Sequence, residues 1–179
     1  FVSGVVKNKL AGAKINLSFP SVGATENLMM AACLAEGITI ISNPAKEPEI
    51  IDLQDSLNSM GAKIIGSGTD CIRIEGVDSL NSAKHFIMYD RIVAGTYILA
   101  GVMINKKFTV KNVNSKHIAA LLNTLKQMNA NLQIGEESIT VMPSKKIIGT
   151  NIETAPYPGF PTDLQAQMMA LMSISVGDS

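Results

Sequence analysis

The feature that most limits what this chain can fold into is a repeat. S-L-N-S-M-G-A-K-I at residues 56–64 lines up with T-L-K-Q-M-N-A-N-L at residues 124–132. The patterns on either side keep an offset of about 70 residues, longer than most solenoid periods but suited to a duplicated supersecondary unit. Each copy reads β-α-β-α-β-β, and a third copy begins at Asn151 and runs through one helix. With no low-complexity segment or long linker between them, the copies are expected to pack directly on one another.

In the first copy, residues 1–7 and 13–17 are short strand-like runs joined by the turn Leu10-Ala11-Gly12. Residues 24–36 form a helix rich in Ala, Leu and Met, which Gly37 closes, and residues 38–41 a buried strand. Pro48 stands at the first position of a helix over residues 49–60, whose Ile50, Leu53, Leu57 and Met60 share a face and which Gly61 stops. Residues 63–65 and 71–74 pair around G-S-G-T-D. In the second copy, residues 84–89 are a strand, 95–105 a helix and 108–110 a strand in which Thr109 matches Thr39. Residues 116–128 are a helix, and 132–134 and 138–141 form a hairpin around Gly135-Glu136-Glu137.

Aromatic residues are 4% of the chain and Trp is absent, so the core must rest on Ile, Leu, Val, Met and Ala. Formal net charge is zero, which offers no attraction for nucleic acid or for an acidic membrane surface. There is no signal peptide and no apolar run of about 18 residues, so a soluble, cytoplasmic protein is expected. A start without Met, in a strand, and a stop just after a helix read as a piece of something longer. Cys33 and Cys71 sit in apolar patterns at no metal or redox spacing and read as buried free thiols. His85 and His117 have no second ligand at metal spacing and read as structural. No metal and no cofactor is expected.

Chemistry is most concentrated in A-P-Y-P-G-F-P-T-D-L-Q-A-Q, residues 155–167. Pro156, Pro158 and Pro161 stiffen the loop. Thr162 is placed as an N-cap, with Gln165 completing a capping box, so a rigid loop delivers the Asp163 carboxylate to the first turn of a helix. Two readings stay open: a carboxylate that complements the helix dipole, or one that does chemistry. The first helix of each copy starts among small, polar or Gly-containing residues, at Ser21-Val22-Gly23-Ala24-Thr25, at Arg91-Ile92-Val93-Ala94-Gly95-Thr96 and at Phe160-Pro161-Thr162-Asp163. Such starts leave backbone N–H groups for an anion, or are ordinary caps of a duplicated unit.

Five stretches together carry a family likeness: F-P-S-V-G-A-T-E-N-L-M-M-A-A-C-L-A-E-G (residues 19–37), A-K-E-P-E-I-I-D-L (45–53), M-G-A-K-I-I-G-S-G-T-D (60–70), D-R-I-V-A-G-T-Y (90–97) and the proline loop. In this order they resemble the enolpyruvyl transferase family, in the branch that acts on a nucleotide sugar. The resemblance implies a two-lobed inside-out α/β barrel of repeated β-α-β-α-β-β units with its active site between the lobes. This chain would be a part of it, residues 1–88 the latter part of the first lobe and 89–179 the beginning of the second. It implies transfer of the enolpyruvyl group of phosphoenolpyruvate to the 3′-hydroxyl of UDP-N-acetylglucosamine with release of phosphate, the first committed step of peptidoglycan precursor synthesis. Those two small molecules are the implied partners, with neither nucleic acid nor membrane.

Residue by residue, Asp163 matches the family's aspartate near the accepting hydroxyl, a candidate general base, with Thr162 beside it. Ser21, Val22 and Gly23 match the loop that holds the uridine diphosphate. Glu47, Asp90 and Arg91 match charged residues that line the cleft or pair between lobes. The chain departs from the pattern at Phe19, where some members have Lys, and at Val93, where many have Glu. The family's catalytic Cys, and the Lys and Arg that grip phosphoenolpyruvate, would fall before Phe1. Neither Cys33 nor Cys71 replaces that Cys, so these 179 residues are expected to be inactive alone. A shikimate-phosphate enolpyruvyl transferase and a non-catalytic binding module on the same repeat are the alternatives.

Overall fold

Alternating isoleucines build the first sheet. In the computed structural model, which describes residues 5, 6 and 8–179, the chain forms two compact units, Phe1–Met88 and Tyr89–Ser179. The first runs β1 (Lys14–Asn16), α1 (Val22–Ala32), β2 (Ile38–Ser42), α2 (Pro48–Ser59), β3 (Lys63–Ile65) and β4 (Cys71–Glu75). Its sheet has the order β1-β2-β4-β3, with β1 parallel to β2 and the other pairs antiparallel. Thr39 faces Ile74 and Ile41 faces Ile72 across the central pair. All four are buried beneath α1 and α2, together with Met29, Ile50, Leu57 and Ile64. Burying an isoleucine is worth about 1.5–3 kcal/mol, so this apolar face holds the helices down. The opposite face carries charge, with Lys63 2.7 Å from Glu75 and Arg73 3.7 Å from it.

The second unit repeats the plan. It runs α3 (Arg91–Ile104), β5 (Phe108–Lys111), a 3₁₀ turn (Ser115–Ile118), α4 (Ala119–Gln127), β6 (Asn131–Ile134) and β7 (Ser138–Met142), then a 3₁₀ turn (Thr162–Leu164) and α5 (Gln165–Met172). The sheet order β5-β7-β6 is that of β2-β4-β3. Ile139 and Val141 are buried against Ile98, Leu99, Leu121, Leu125 and Met128. The turn after the second helix is the same in both copies. Gly61 (φ 100°) and Asn129 (φ 65°) take the left-handed position, and Ala62 and Ala130 bond back to the carbonyls of Leu57 and Leu125 at 3.0 and 2.9 Å.

Several expectations need correction. Residues 84–89 are not a strand. A strand needs a neighbour for its N–H and C=O groups; here the Met88 N–H and the His85 ring instead bond the Asp52 carboxylate, at 3.3 and 3.1 Å. Phe86 and Ile87 are left exposed. The second copy therefore lacks its leading strand. α1 starts at Val22 and ends at Ala32 rather than spanning 24–36, because Ser21 already caps it, its hydroxyl accepting from the Ala24 N–H. Gly37 lies beyond a separate turn, at φ 88°. Likewise α3 starts at Arg91 rather than Gly95, because Asp90 caps it. The helix expected at 116–128 opens as a 3₁₀ turn. The strand expected at residues 1–7 lies outside the described residues, Val5 and Val6 excepted.

The third copy begins earlier than Asn151. A parallel bridge joins Ile148 to Val176, as Ala11 is joined to Glu36 in the first copy. The Gly149 N–H bonds the Val176 carbonyl at 2.9 Å, as Gly12 bonds Glu36 at 2.7 Å. α5 is thus the counterpart of α1. A Cβ on Gly12 would run into the backbone of Ile38, and one on Gly149 into the backbone of Asp178. Gly12→Ala and Gly149→Ala are each expected to lower the unfolding free energy by about 1–3 kcal/mol, as overpacking does. Denaturant unfolding of the two variants checks this, and wild-type stability in either would refute the equivalence of the two crossings.

Candidate functional site

In the first unit, Ser21 takes extended dihedrals (φ −77°, ψ 124°) before α1. Its hydroxyl accepts from the Ala24 N–H at 3.3 Å, and its carbonyl from the Thr25 N–H at 3.0 Å. The N–H groups of Val22 and Gly23, ahead of those two, are the orphan donors of a helix start. Gly23 is exposed, and nothing lies within 4 Å of where its Cβ would be. Glu47 is the residue before α2, whose first position is Pro48. It is 9% exposed, and its Oε2 has no hydrogen-bond partner among the described residues. A buried carboxylate oxygen without a donor is costly, which leaves Glu47 able to receive a donor from a ligand.

In the second unit, Asp90 Oδ1 accepts from the N–H groups of Ile92 and Val93 at 2.8 and 2.9 Å, so it caps α3. Arg91 is 8% exposed. Its guanidinium lies over the Tyr157 ring, 5.5 Å from the centroid, a cation–π contact strengthened by burial. The Tyr157 hydroxyl reaches the Lys116 carbonyl at 3.5 Å. Between them is a cavity of about 20 Å³, lined by Arg91, Lys116, His117, Tyr157 and Pro161 among others, with room for a single water. The loop closes on itself through Ala155 N–H to Phe160 O (3.0 Å) and Gly159 N–H to Pro156 O (2.8 Å). Arg91 thus sits against the proline loop and contributes to its rigidity.

That loop delivers Asp163 as expected, but without the expected cap. Pro161 (φ −74°, ψ 138°) is the capping residue of the 3₁₀ turn Thr162–Leu164, and Thr162 is already helical, so its side chain cannot reach back to cap. No side chain caps α5 either, so the Thr162–Gln165 capping box is absent. Thr162 and Asp163 are both exposed. Among the described residues nothing hydrogen-bonds the Asp163 carboxylate. It is held by its backbone and left open at its tip. One turn further on, Gln167 donates to the Thr96 hydroxyl at 3.0 Å, with its Oε1 buried and unpartnered. Gln167 carries no spacing signal in the sequence, because its partner Thr96 lies on another helix.

The structure therefore gathers Arg91, Thr162 and Asp163 around one loop, and sets Ser21–Gly23 and Glu47 at the starts of α1 and α2. Cys33 is buried, its thiol donating to the Met29 carbonyl at 3.2 Å. Burial pushes its pKa up, against the opposing effect of its backbone hydrogen bond. Cys71 is a correction: it is exposed, because Ile72 and Ile74 take the buried side of β4 and alternation turns Cys71 outward. His117 lies 3.2 Å from the Asn114 side-chain amide. Among the described residues, no three His, Cys, Asp or Glu side chains gather where a metal could bind, and no helix is long and apolar enough to cross a membrane.

The family profile described as EPSP synthase (3-phosphoshikimate 1-carboxyvinyltransferase) matches residues 2–178. Two curated relatives carry the name UDP-N-acetylglucosamine 1-carboxyvinyltransferase. One, from Finegoldia magna, is 48% identical over 99% of this chain and 43% of its own length. The other, from Halothermothrix orenii, is 51% identical over 98% and 42%. The chain thus spans about two fifths of the length of these relatives. Among solved structures, the enolpyruvyl transferase NikO from Streptomyces tendae superposes with a TM-score of 0.83 at 22% identity, over 94% of this chain and 43% of that one. That likeness fixes the fold as the partial inside-out α/β type.

The two thiols give a direct check on the environments described above. Because the thiolate is the reactive form, iodoacetamide at pH 8 is expected to alkylate exposed Cys71 in the native chain and to spare Cys33 until unfolding. Equal labelling of both by mass spectrometry would contradict the burial of the α1 face.

Proposed function

Because the chain belongs to the enolpyruvyl transferase family, we propose that it is part of an enzyme that transfers the enolpyruvyl group of phosphoenolpyruvate to the 3′-hydroxyl of UDP-N-acetylglucosamine, releasing phosphate. The observation that carries this reading is the Asp163 carboxylate. It is exposed, engaged by no capping N–H, and mounted on a turn stiffened by prolines and by the Arg91–Tyr157 stack. A base must reach its proton within hydrogen-bond distance, and a fixed carboxylate with a free tip meets that need. The choice of acceptor rests on the names carried by the relatives.

In this reading Asp163 takes the proton of the 3′-hydroxyl as its oxygen bonds to C2 of phosphoenolpyruvate, C3 gaining a proton to give a tetrahedral intermediate. Loss of phosphate and of a proton from C3 then restores the double bond. Thr162 lies beside the acceptor. Ser21, Val22 and Gly23 hold the diphosphate with the open N–H groups at the start of α1, whose dipole favours anions. Glu47 receives a donor from the substrate, and Asp90 and Arg91 support α3 and the proline loop. Residues 1–88 would belong to one lobe of the enzyme and 89–179 to the next, working in the cytoplasm. The resemblance puts the catalytic Cys and the phosphoenolpyruvate-gripping Lys and Arg outside these 179 residues, so this chain alone should turn over no substrate.

A shikimate-phosphate acceptor is the second reading, favoured by the description of the matching family profile. Assay of the full-length protein with each acceptor separates the two, since turnover with shikimate 3-phosphate and none with the nucleotide sugar would reverse the assignment. In the same protein, Asp163→Asn should lower kcat by about 10²–10⁴-fold, the usual worth of a general base. Its unfolding free energy should move by less than about 0.5 kcal/mol, as for an exposed side chain with no bonded partner. Activity within about threefold of the parent would take Asp163 out of the mechanism.

A further inference from the structure

Thr25, in the first turn of α1, is fully buried. Its hydroxyl donates to the Ser21 carbonyl at 2.8 Å and accepts from the Ala45 N–H at 2.9 Å. A carbonyl can only accept and an amide N–H only donate, so the group between them must do both, and a hydroxyl does. Ser21 opens the loop assigned above to the diphosphate. Ala45, itself buried, lies on the connection that ends at Glu47.

The second copy serves as an internal control. There the N–H that bonds back to the capping residue belongs to Ala94, reaching the Asp90 carbonyl at 3.0 Å, just as Thr25 N–H reaches Ser21. Ala94 has no hydroxyl, yet α3 packs on β5 and β7, so the repeat does not need one to fold. What the first copy has in addition is a longer connection. Residues 43–47 join β2 to α2, where residues 112–114 join β5 to the 3₁₀ turn. Ala45 and Lys46 lie in the longer connection, which is fastened elsewhere too: the Asn43 N–H bonds the Asp70 carbonyl at 3.0 Å, the Asn43 side-chain amide donates to the Leu17 carbonyl at 2.8 Å, and Lys46 pairs with the Asp70 carboxylate at 2.5 Å. The copy with the extra length is the copy that buries Glu47 with an unpartnered oxygen.

We propose that Thr25 is a positioning residue for the nucleotide sugar: its hydroxyl locks the Ser21–Val22–Gly23 loop to the connection carrying Glu47, so that loop donors and carboxylate meet the substrate as one rigid group. This rests on the reading of that loop as the diphosphate site.

The test uses the full-length enzyme, with UDP-N-acetylglucosamine binding measured by calorimetry, amide exchange at Ala45 and thermal unfolding. Thr25→Val keeps the shape but leaves a buried N–H unmet, and should weaken binding by about tenfold or more while Ala45 loses protection. Thr25→Ser keeps the hydroxyl and drops a buried methyl, so it should melt earlier yet bind within about threefold of the parent. A merely structural role predicts affinity that follows stability in both variants, with the Ser variant weakened in step with its earlier melting. If the Val variant does not fold, Thr25→Ala, with the residue the second copy uses, carries the same expectation. Parent-like affinity in the Val or Ala variant, or a Ser variant as weak as Val, overturns the inference. A parent enzyme that does not bind the nucleotide sugar overturns the loop reading itself, and this inference with it.

Discussion

The antiparallel ladder between β2 and β4, and its counterpart between β5 and β7, decides which side chains of each sheet are buried and so where every helix can sit. Side chains alternate along a strand, and a slip of one residue would turn Ile72 and Ile74, or Ile139 and Val141, toward solvent. With few aromatic side chains to fill space, these isoleucines and valines and the helix residues above them supply the interior of each unit. The helix starts are fixed as a result. Ser21 and Asp90 each lie where the chain enters the helical layer, and each turns a side-chain oxygen back onto the first helical turn, Ser21 to the Ala24 N–H and Asp90 to those of Ile92 and Val93.

Much of this was legible beforehand because it depends on local grammar. The offset between 56–64 and 124–132, the Pro at the start of α2 and the pairing of residues 63–65 with 71–74 around a Gly-rich turn all carry their own physical cause within a few residues. The misses have causes of another kind. Residues 84–89 have the composition of a strand, but a strand exists only where a neighbour offers a ladder, and here the segment is held instead through the Met88 N–H and the His85 ring on the Asp52 carboxylate. The Thr162–Gln165 capping box fails because a proline already occupies the capping place, leaving Thr162 one position too far in. Cys71 stands among apolar neighbours that suggest burial, but the burial of Ile72 and Ile74 is what turns it outward.

The candidate site divides in the same way. Asp163 could be found from its prolines, since a stiff loop running into a helix is visible in the chain. Arg91 could be singled out as a charge but not placed, because its partner Tyr157 is distant in sequence and only the fold brings the ring under the guanidinium. Glu47 acquires meaning only with the burial of its side chain, and Thr25 only with the Ala45 amide against its hydroxyl. Interactions between residues far apart in sequence leave no periodicity to read.

The connections after β2 and β5 begin alike, each with an asparagine in the left-handed conformation, Asn43 at φ 55° and Asn112 at φ 57°. That asparagine marks where the ladder ends. Residues added after it shift no register and expose no isoleucine, and lengthening a connection adds little chain entropy. A duplicated unit can therefore diverge there freely while its sheets stay superposable. Kinship among such copies is best sought along the strands, and divergence of function at the junctions that follow them.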